Sequence, residues 1–195
     1  MNNVRALPAV RIRPYQLSDA DDLYAAARES IEDVFPWLPW CHPNYSMEEA
    51  REWIASRQQA RAQDIEYAFA IVDERGRYLG GLGINMFNRV HQFANLGYWV
   101  RTSEAGRGVA PAAIRQAAAF TFGATDFVRL EILCAAGNAR SQRAAERAGA
   151  TREAVLRDRL ILHGKPVDAV MYSMVRSHWF RGYSCLLSGN SFTIV

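Results

Sequence analysis

A chain of 195 residues and 21.9 kDa, 50% hydrophobic and 22% charged, has the size of one domain and can bury a core, which excludes an intrinsically disordered chain. No apolar run approaches the roughly 20 residues of a membrane span, and the N-terminal residues show no signal peptide, so we expect a cytoplasmic protein. The net charge of +3 is too small, and the arginines too dispersed, to indicate a nucleic-acid partner.

The first part of the chain predicts a strand followed by two helices. Val10–Arg13 alternates apolar and basic residues and is followed by a proline, as in a short strand. Ser18 is placed to cap a helix that stops before the prolines within 35–40. Ser46 followed by Glu49 has the spacing of a capping box, which predicts a second helix to about residue 63.

Strand patterns follow and then alternate with helical ones. The predicted strands cover 67–72, 78–84, 94–100, 128–134, about 150–157 and 167–176. The predicted helices cover 109–122 and 139–148, the second ending at Gly149. The order βααβββαβαββ predicts an α/β fold, a mixed (α+β) twisted sheet of about seven strands flanked by about four helices.

We expect one domain over residues 1–176 and a separate tail over 177–195. The tail is apolar enough to dock on the domain or to mediate self-association, for example in a homodimer. The sequence leaves both interpretations open.

The cysteines and histidines show no pattern of a metal site or a disulfide framework. The three cysteines are odd in number and far apart, and the four histidines lack the spacing of metal ligands. Cys134 lies inside an apolar run, which favours a buried and unreactive thiol. We therefore predict no metal cofactor.

The segment Glu104–Ala110, which we call the glycine loop, joins a predicted strand to a predicted helix. Gly106 and Gly108 allow a tight turn with inward-pointing N–H groups, and the helix start adds a positive dipole end, so the loop can bind an anion. The alternative is a plain strand-to-helix turn. Pro111 stands where a dinucleotide fingerprint has its third glycine, and no Gly-Lys-Ser/Thr follows, which argues against Rossmann and Walker loops.

Five short motifs occur in an order that is specific, although each one is loose by itself. They are Trp-Leu-Pro-Trp at 37–40, Leu-Gly-Tyr-Trp at 96–99, Gly-Arg-Gly-Val-Ala at 106–110, Asn-Ala-Arg-Ser at 138–141 and Ala-Gly-Ala at 148–150. Over about residues 9–176, the chain resembles the GNAT acetyltransferase superfamily, and within it the Rim-type branch of ribosomal-protein N-terminal acetyltransferases.

This resemblance implies acetyl-CoA as the cosubstrate, with its pyrophosphate held by backbone amides of the glycine loop. The loop residues that would bind it are Gly106, Arg107, Gly108, Val109 and Ala110. Ala105 and Pro111 replace a polar residue and a threonine that are common in the family, so the pattern is incomplete here. The side chains of Arg107 and Arg115 would add positive charge, or would remain solvated.

The resemblance also assigns roles around the thioester. Asn138 would bind the pantetheine arm, or would only cap the helix that follows it. A backbone N–H near Tyr98 or Val100 would stabilise the oxyanion formed when an amine attacks the thioester.

Ser141 is the predicted proton donor to the departing thiolate. Many GNAT enzymes place a tyrosine for this step seven residues after the asparagine, and Ala145 occupies that position here. The alternative for Ser141 is a serine at a helix start without a chemical role. Glu131 is a spare candidate for the general base, and its structural alternative is an ion pair with Arg129.

The acceptor is expected to be an N-terminal α-amine, as of a ribosomal protein, that attacks directly in a ternary complex. An α-amine titrates near about 7.7–8.0 and a lysine near about 10.4, so far more of the α-amine is neutral at pH 7. The predicted strand 94–100 also lacks a carboxylate that could deprotonate a lysine. Trp37 and Trp40, in a proline-stiffened loop, would line the acceptor cleft or pack in the core. The alternative acceptor is a small amine (polyamine, antibiotic or amino acid). The alternative function is a non-catalytic acyl-CoA-binding module.

Overall fold

Seven strands hydrogen-bond into one mixed sheet in the computed structural model, which describes residues 9–180. They are β1 (Val10–Pro14), β2 (Tyr67–Asp73), β3 (Tyr78–Asn88), β4 (Phe93–Val100), β5 (Arg129–Ala135), β6 (Thr151–Leu162) and β7 (Lys165–Val175). Their order across the sheet is β1-β2-β3-β4-β5-β7-β6, and β4 and β5 are the parallel pair. The predicted fold class is confirmed.

Helices cover both faces of this sheet. The α-helices are α1 (Ala20–Val34), α2 (Met47–Ala62), α3 (Val109–Ala124) and α4 (Ala139–Ala148). Short 3-10 turns precede α1 at Leu17–Asp19 and α3 at Thr102–Glu104. None of the helices within residues 9–180 has the length and apolar character needed to cross a membrane.

The capping box predicted at the start of α2 is confirmed. The N–H of Glu49 donates to Ser46 Oγ (3.2 Å), and the N–H of Ser46 donates to Glu49 Oε2 (2.9 Å). The prediction that Ser18 caps the first helix is wrong, because Ser18 lies inside the 3-10 turn. The buried Asp19 closes this turn by accepting a hydrogen bond from the N–H of Gln16 (2.8 Å).

The two faces of the sheet have separate cores. The core under α3 and α4 contains large buried side chains of the central strands, among them Ile84, Leu96 and Leu130. The core under α1 and α2 surrounds Leu23, Ile54 and Tyr78. Because successive strand residues point to opposite faces, Leu96 and Tyr98 of β4 pack on the α3 side, whereas Trp99 packs on the α1 side.

β4 and β5 pair at one end and then separate. Their pairing joins Phe93–Asn95 to Arg129–Glu131 and goes no further, although β4 continues to Val100 and β5 continues to Ala135. The sheet therefore opens into a wedge between the carboxyl ends of these two strands.

The alternation of an antiparallel ladder fixes which amides of β4 face this wedge. The N–H of Arg101, directly after β4, donates to the carbonyl of Leu79 on β3 (2.9 Å). Residues two apart share the same direction, so the odd-numbered residues of β4 bond to β3. The N–H groups of Tyr98 and Val100 therefore point into the wedge, beyond the last pair with β5.

The last two strands form a longer hairpin than the predicted 150–157 and 167–176. β6 extends to Leu162. Most of the side chains along this strand are exposed and several are charged, so the sequence shows little of the apolar and polar alternation that predicts a strand. The turn places His163 against Phe35 at the end of α1, with ring centroids 4.5 Å apart. The hairpin thus reaches across the open end of the wedge.

The predicted division at residue 176 stays a prediction. Residues 176–180 are helical, and Trp179 packs on Phe122 of α3 with ring centroids 6.1 Å apart. The rest of the predicted tail, 181–195, lies outside the described residues, as do residues 1–8.

Candidate active site

The glycine loop presents a row of unpaired amides. Gly106 and Gly108 have left-handed backbone angles, φ +75° and +85°, which favour glycine. The N–H groups of residues 106–110 find no acceptor in the described part of the chain, and Pro111 has no N–H. These amides surround the N-terminus of α3, so they can bind an anion such as a pyrophosphate.

The side chain of Arg107 contributes less to this loop than its position suggests. It is 64% exposed, and its guanidinium lies 3.5 Å from the carboxylate of Glu104. Glu104 is buried and also accepts a hydrogen bond from Arg77 (2.8 Å). The anion site at the loop therefore depends mainly on backbone N–H groups.

A cavity of about 510 Å³, the first cavity, extends from the glycine loop into the wedge between β4 and β5. Its walls include Gly106, Gly108, Val109 and Ala110 of the loop and α3, and Tyr98 and Val100 of β4. Asn138 and Ser141 of α4 line the same cavity, together with Cys134 at the end of β5. The structure thus brings most of the predicted cofactor-binding residues to one space.

Three side chains form a hydrogen-bonded cluster inside the first cavity. The Tyr98 hydroxyl donates to the Ser141 carbonyl oxygen (2.8 Å) and lies 3.0 Å from Ser141 Oγ. Ser141 Oγ also lies 3.2 Å from Cys134 Sγ. Burial raises the pKa of the Tyr98 hydroxyl, and burial likewise raises the pKa of the Cys134 thiol. Both groups therefore keep their hydrogen at neutral pH, and the Ser141 hydroxyl lies between them on the wall of the first cavity.

Asn138 occupies the N-cap of α4, and its side-chain oxygen accepts a hydrogen bond from the N–H of Ser141 (3.0 Å). This bond fixes Ser141 in the first turn of the helix. The amide nitrogen of Asn138 has no hydrogen-bond acceptor within residues 9–180, and the residue lines the first cavity. The capping role and the predicted cofactor contact are therefore compatible.

A second cavity of about 380 Å³ lies between α2, the loop before it, and strands β3 and β4. The two cavities share Leu38 and the segment Gly97–Trp99. Gly81, Gly83 and Gly97 line the second cavity, and a Cβ atom at Gly97 would meet no other atom within 4 Å. This part of β4 is therefore accessible to a bound molecule from the second cavity.

The charged groups of the second cavity are paired with one another. His42 Nε2 lies 2.9 Å from Glu49 Oε1, and Arg57 Nη1 lies 2.6 Å from Glu66 Oε2. Hydrogen bonds from Ser46, and then from His42, hold the pKa of the Glu49 carboxyl below its usual range. The cavity therefore combines polar groups of both signs with an aromatic wall.

The structure separates the two tryptophans that were predicted to line one cleft. Trp37 lines the first cavity and packs against Gly137, where an added Cβ would lie 3.3 Å from its ring. Trp40 lines the second cavity, and its ring centroid lies 5.2 Å from that of Trp99. The pair thus belongs to both cavities rather than to one wall.

Glu131 lines neither cavity. Its Oε1 accepts a hydrogen bond from Arg129 Nε (2.8 Å), which is the structural alternative named for it from the sequence. Arg129 also binds Glu153, so Glu131 is part of a surface ion-pair network. We therefore do not assign it a role in proton transfer.

The sequence interpretation missed the side-chain contact of Tyr98 and the whole second cavity. Gly83 of β3, directly opposite Gly97 of β4, was the available signal, since paired glycines on one strand face leave open space. No group of three or more His, Cys, Asp or Glu able to hold a metal ion occurs within residues 9–180.

Comparisons with known proteins identify the family of this chain. A family model described as an acetyltransferase (GNAT) domain matches residues 9–151. The chain is 26% identical over 170 residues to YdaF of Bacillus subtilis (strain 168), named as a ribosomal N-acetyltransferase, which covers 87% of this chain and 93% of that protein.

Solved structures have the same fold. One is described as a ribosomal-protein-serine acetyltransferase from Vibrio cholerae, with 25% identity, a TM-score of 0.72, and coverage of 86% of this chain and 94% of that chain. RimL, a ribosomal L7/L12 alpha-N-protein acetyltransferase in complex with coenzyme A, has 21% identity, a TM-score of 0.79, and coverage of 87% and 97%. The names of these relatives support the Rim-type branch, and the chain belongs to the GNAT acetyltransferase family.

Proposed function

We propose that this chain transfers the acetyl group of acetyl-CoA to the α-amine of a protein N-terminus, that of a ribosomal protein, by direct attack in a ternary complex. The observation that carries the proposal is the wall Gly97–Trp99, which the first and second cavities share. A thioester in one cavity and an amine in the other would meet at this wall, so the protein would contribute mainly positioning.

The residues of the first cavity fit the donor. The free amides of residues 106–110 would hold the pyrophosphate, and Asn138 would contact the pantetheine arm. The N–H groups of Tyr98 and Val100 point into the wedge and would bind the oxygen that gains negative charge during attack.

Ser141 would supply the proton that the sulfur needs. As the new C–N bond forms and the C–S bond breaks, the Ser141 hydroxyl would donate to the leaving thiolate, and solvent would return the hydrogen to Ser141. The net reaction moves one proton from the amine to the thiol. Tyr98 is a positioning residue in this scheme, because its hydroxyl holds both the carbonyl and the Oγ of Ser141.

The second cavity fits an acceptor with one amine better than a polyamine. Carboxylates that are free to pair with ammonium groups would favour a polyamine. Within residues 9–180, Glu49 is paired with His42 and Glu66 is paired with Arg57. The aromatic wall and the glycine-lined floor would instead accommodate a peptide main chain.

An α-amine also needs less help to lose its proton. About a tenth of an α-amine is neutral at pH 7, so a modest base or water is sufficient. His42 lines the second cavity with one ring nitrogen held by Glu49, and its other nitrogen is a candidate to receive this proton.

The experiment is a thiol-release assay with acetyl-CoA on two acceptor panels. One panel holds peptides that start with Ser, Ala or Thr, each paired with an N-terminally blocked control, and the other holds polyamines, amino acids and aminoglycosides. We expect turnover of the peptides with a free N-terminus and no turnover of the blocked peptides. Activity restricted to the small amines would overturn the proposed acceptor.

Thermal unfolding with acetyl-CoA tests the non-catalytic alternative on the same sample. An acyl-CoA-binding module would be stabilised by acetyl-CoA but would release no thiol with any amine of either panel. Stabilisation together with turnover supports an enzyme.

A further inference from the structure

Arginines of α4 line the first cavity beside the glycine loop. Arg140, Arg143 and Arg147 lie at spacings of three and four residues, which place them along one side of the helix. Arg140 is paired with Asp33 at 2.8 Å. Arg143 and Arg147 have no carboxylate partner within residues 9–180, although both line the cavity.

A third guanidinium lies behind this pair. Arg115 of α3 donates from Nη1 to the carbonyl oxygen of Arg147 (2.9 Å). Its other terminal nitrogen, Nη2, is buried and has no hydrogen-bond acceptor in the described part of the chain. A buried donor without an acceptor destabilises the folded chain. Like charges four residues apart on a helix repel one another.

The positive charge of the first cavity is therefore concentrated on α4 rather than on the glycine loop. At the loop, the charge of Arg107 is opposed by Glu104 at 3.5 Å. At the other end, Arg143 and Arg147 are unopposed within residues 9–180. An anion bound there would relieve the repulsion between the two guanidinium groups.

We propose that Arg143 and Arg147, with Arg115 behind them, form a phosphomonoester subsite for the 3′-phosphate of coenzyme A. This inference rests on the proposed function. The neutral amides of the loop suit a pyrophosphate, in which each phosphate carries about one charge. A terminal phosphate carries about −1.5 to −2 at pH 7, and paired guanidinium groups bind it with charge-assisted hydrogen bonds. Arg143 and Arg147 thus give selectivity for CoA over dephospho-CoA, which lacks only the 3′-phosphate.

The test is calorimetric titration of the full chain with CoA and with dephospho-CoA. We expect the wild-type protein to bind CoA at least about tenfold more tightly. The double variant Arg143→Gln/Arg147→Gln should lose about tenfold in CoA affinity and keep its affinity for dephospho-CoA. Arg140→Gln is the control, because it removes one positive charge from the same helix at an arginine that is already paired with Asp33, and it should leave the ratio of the two affinities unchanged.

Two results would overturn this subsite while the proposed function stands. One is equal binding of CoA and dephospho-CoA by the wild-type protein. The other is an equal loss of affinity for CoA and for dephospho-CoA in a double variant that keeps the wild-type circular dichroism spectrum. The arginines would then not contact the 3′-phosphate. If the wild-type protein binds neither ligand, the proposed function fails as well.

Discussion

Replacing Tyr98 by Phe tests how Ser141 is held in the first cavity. The change removes one oxygen and keeps the ring, so the packing of the aromatic side chain is preserved. The lost oxygen contacts the Ser141 carbonyl (2.8 Å) and Ser141 Oγ (3.0 Å). Without it, Cys134 Sγ at 3.2 Å is the remaining contact of the Ser141 hydroxyl within residues 9–180.

The magnitude follows from these two contacts. A neutral hydrogen bond contributes about 0.5–1.5 kcal/mol, so we expect the free energy of unfolding to fall by about 1 kcal/mol. An unrestrained serine hydroxyl samples three staggered rotamers, which dilutes the productive one about threefold. Together with the lost hydrogen bond, this predicts a three- to tenfold decrease in kcat, at about 1.4 kcal/mol per factor of ten.

The assay is thiol release at saturating acetyl-CoA and peptide, for wild type, Tyr98→Phe, Ser141→Ala and the double variant. If Tyr98 acts through Ser141, its replacement lowers kcat in the wild-type background but not in the Ser141→Ala background. Calorimetry should show nearly unchanged CoA affinity in Tyr98→Phe. An equal decrease of kcat in both backgrounds, or wild-type kcat in Tyr98→Phe, would refute the reasoning.

Three further predictions address the glycine loop, the acceptor side and acid stability. Gly108→Asp should abolish CoA binding measured by calorimetry, because aspartate is strained at a φ of +85° and its carboxylate would lie among the loop amides. Gly164→Asp is the control, because Gly164 has a similar φ of +75° in the β6–β7 turn, and this variant should still bind CoA. Gly97→Val should raise the peptide KM and leave CoA affinity unchanged, since its side chain would enter open space in the second cavity. The Arg101 guanidinium lowers the pKa of Glu29 to about 2, so this carboxylate stabilises the fold above about pH 4.5 and loses this contribution as the pH falls toward 2. Glu29→Gln should therefore show a smaller decrease in unfolding free energy over that range in urea titrations.

Each of these predictions has an outcome that contradicts it. Calorimetric CoA binding in Gly108→Asp would show that the loop does not hold the pyrophosphate. An unchanged peptide KM in Gly97→Val would remove the second cavity from acceptor binding. An identical acid dependence of stability in Glu29→Gln would mean that the Arg101 contact is not coupled to folding.

The sequence by itself determined the features that depend on neighbours within one turn. The capping box of Ser46 and Glu49, the helix end at Gly149 and the turn around Gly106 and Gly108 all lie where the sequence predicts them. Each depends on a side chain or a backbone angle that acts over three or four residues, so tertiary contacts are not needed to specify it. The order of strands and helices follows from the same short-range patterns.

Local patterns were not sufficient where a contact outside the pattern decides the local structure. Ser18 is a good capping residue, but Asp19, held by Arg13 at 2.7 Å, closes a 3-10 turn there instead. β6 carries mostly exposed and charged side chains, and its pairing with β7, rather than its own hydrophobic pattern, extends it to Leu162.

Only the tertiary structure decided which residues share a cavity. The contact of Tyr98 with Ser141 joins residues 43 positions apart, and it forms because β4 and β5 separate beyond Asn95. The tertiary structure likewise kept Glu131 out of both cavities, and it brought Arg115 of α3 behind Arg147 of α4. Such juxtapositions depend on strand order and helix packing over the whole chain, and no short segment of the sequence contains that information.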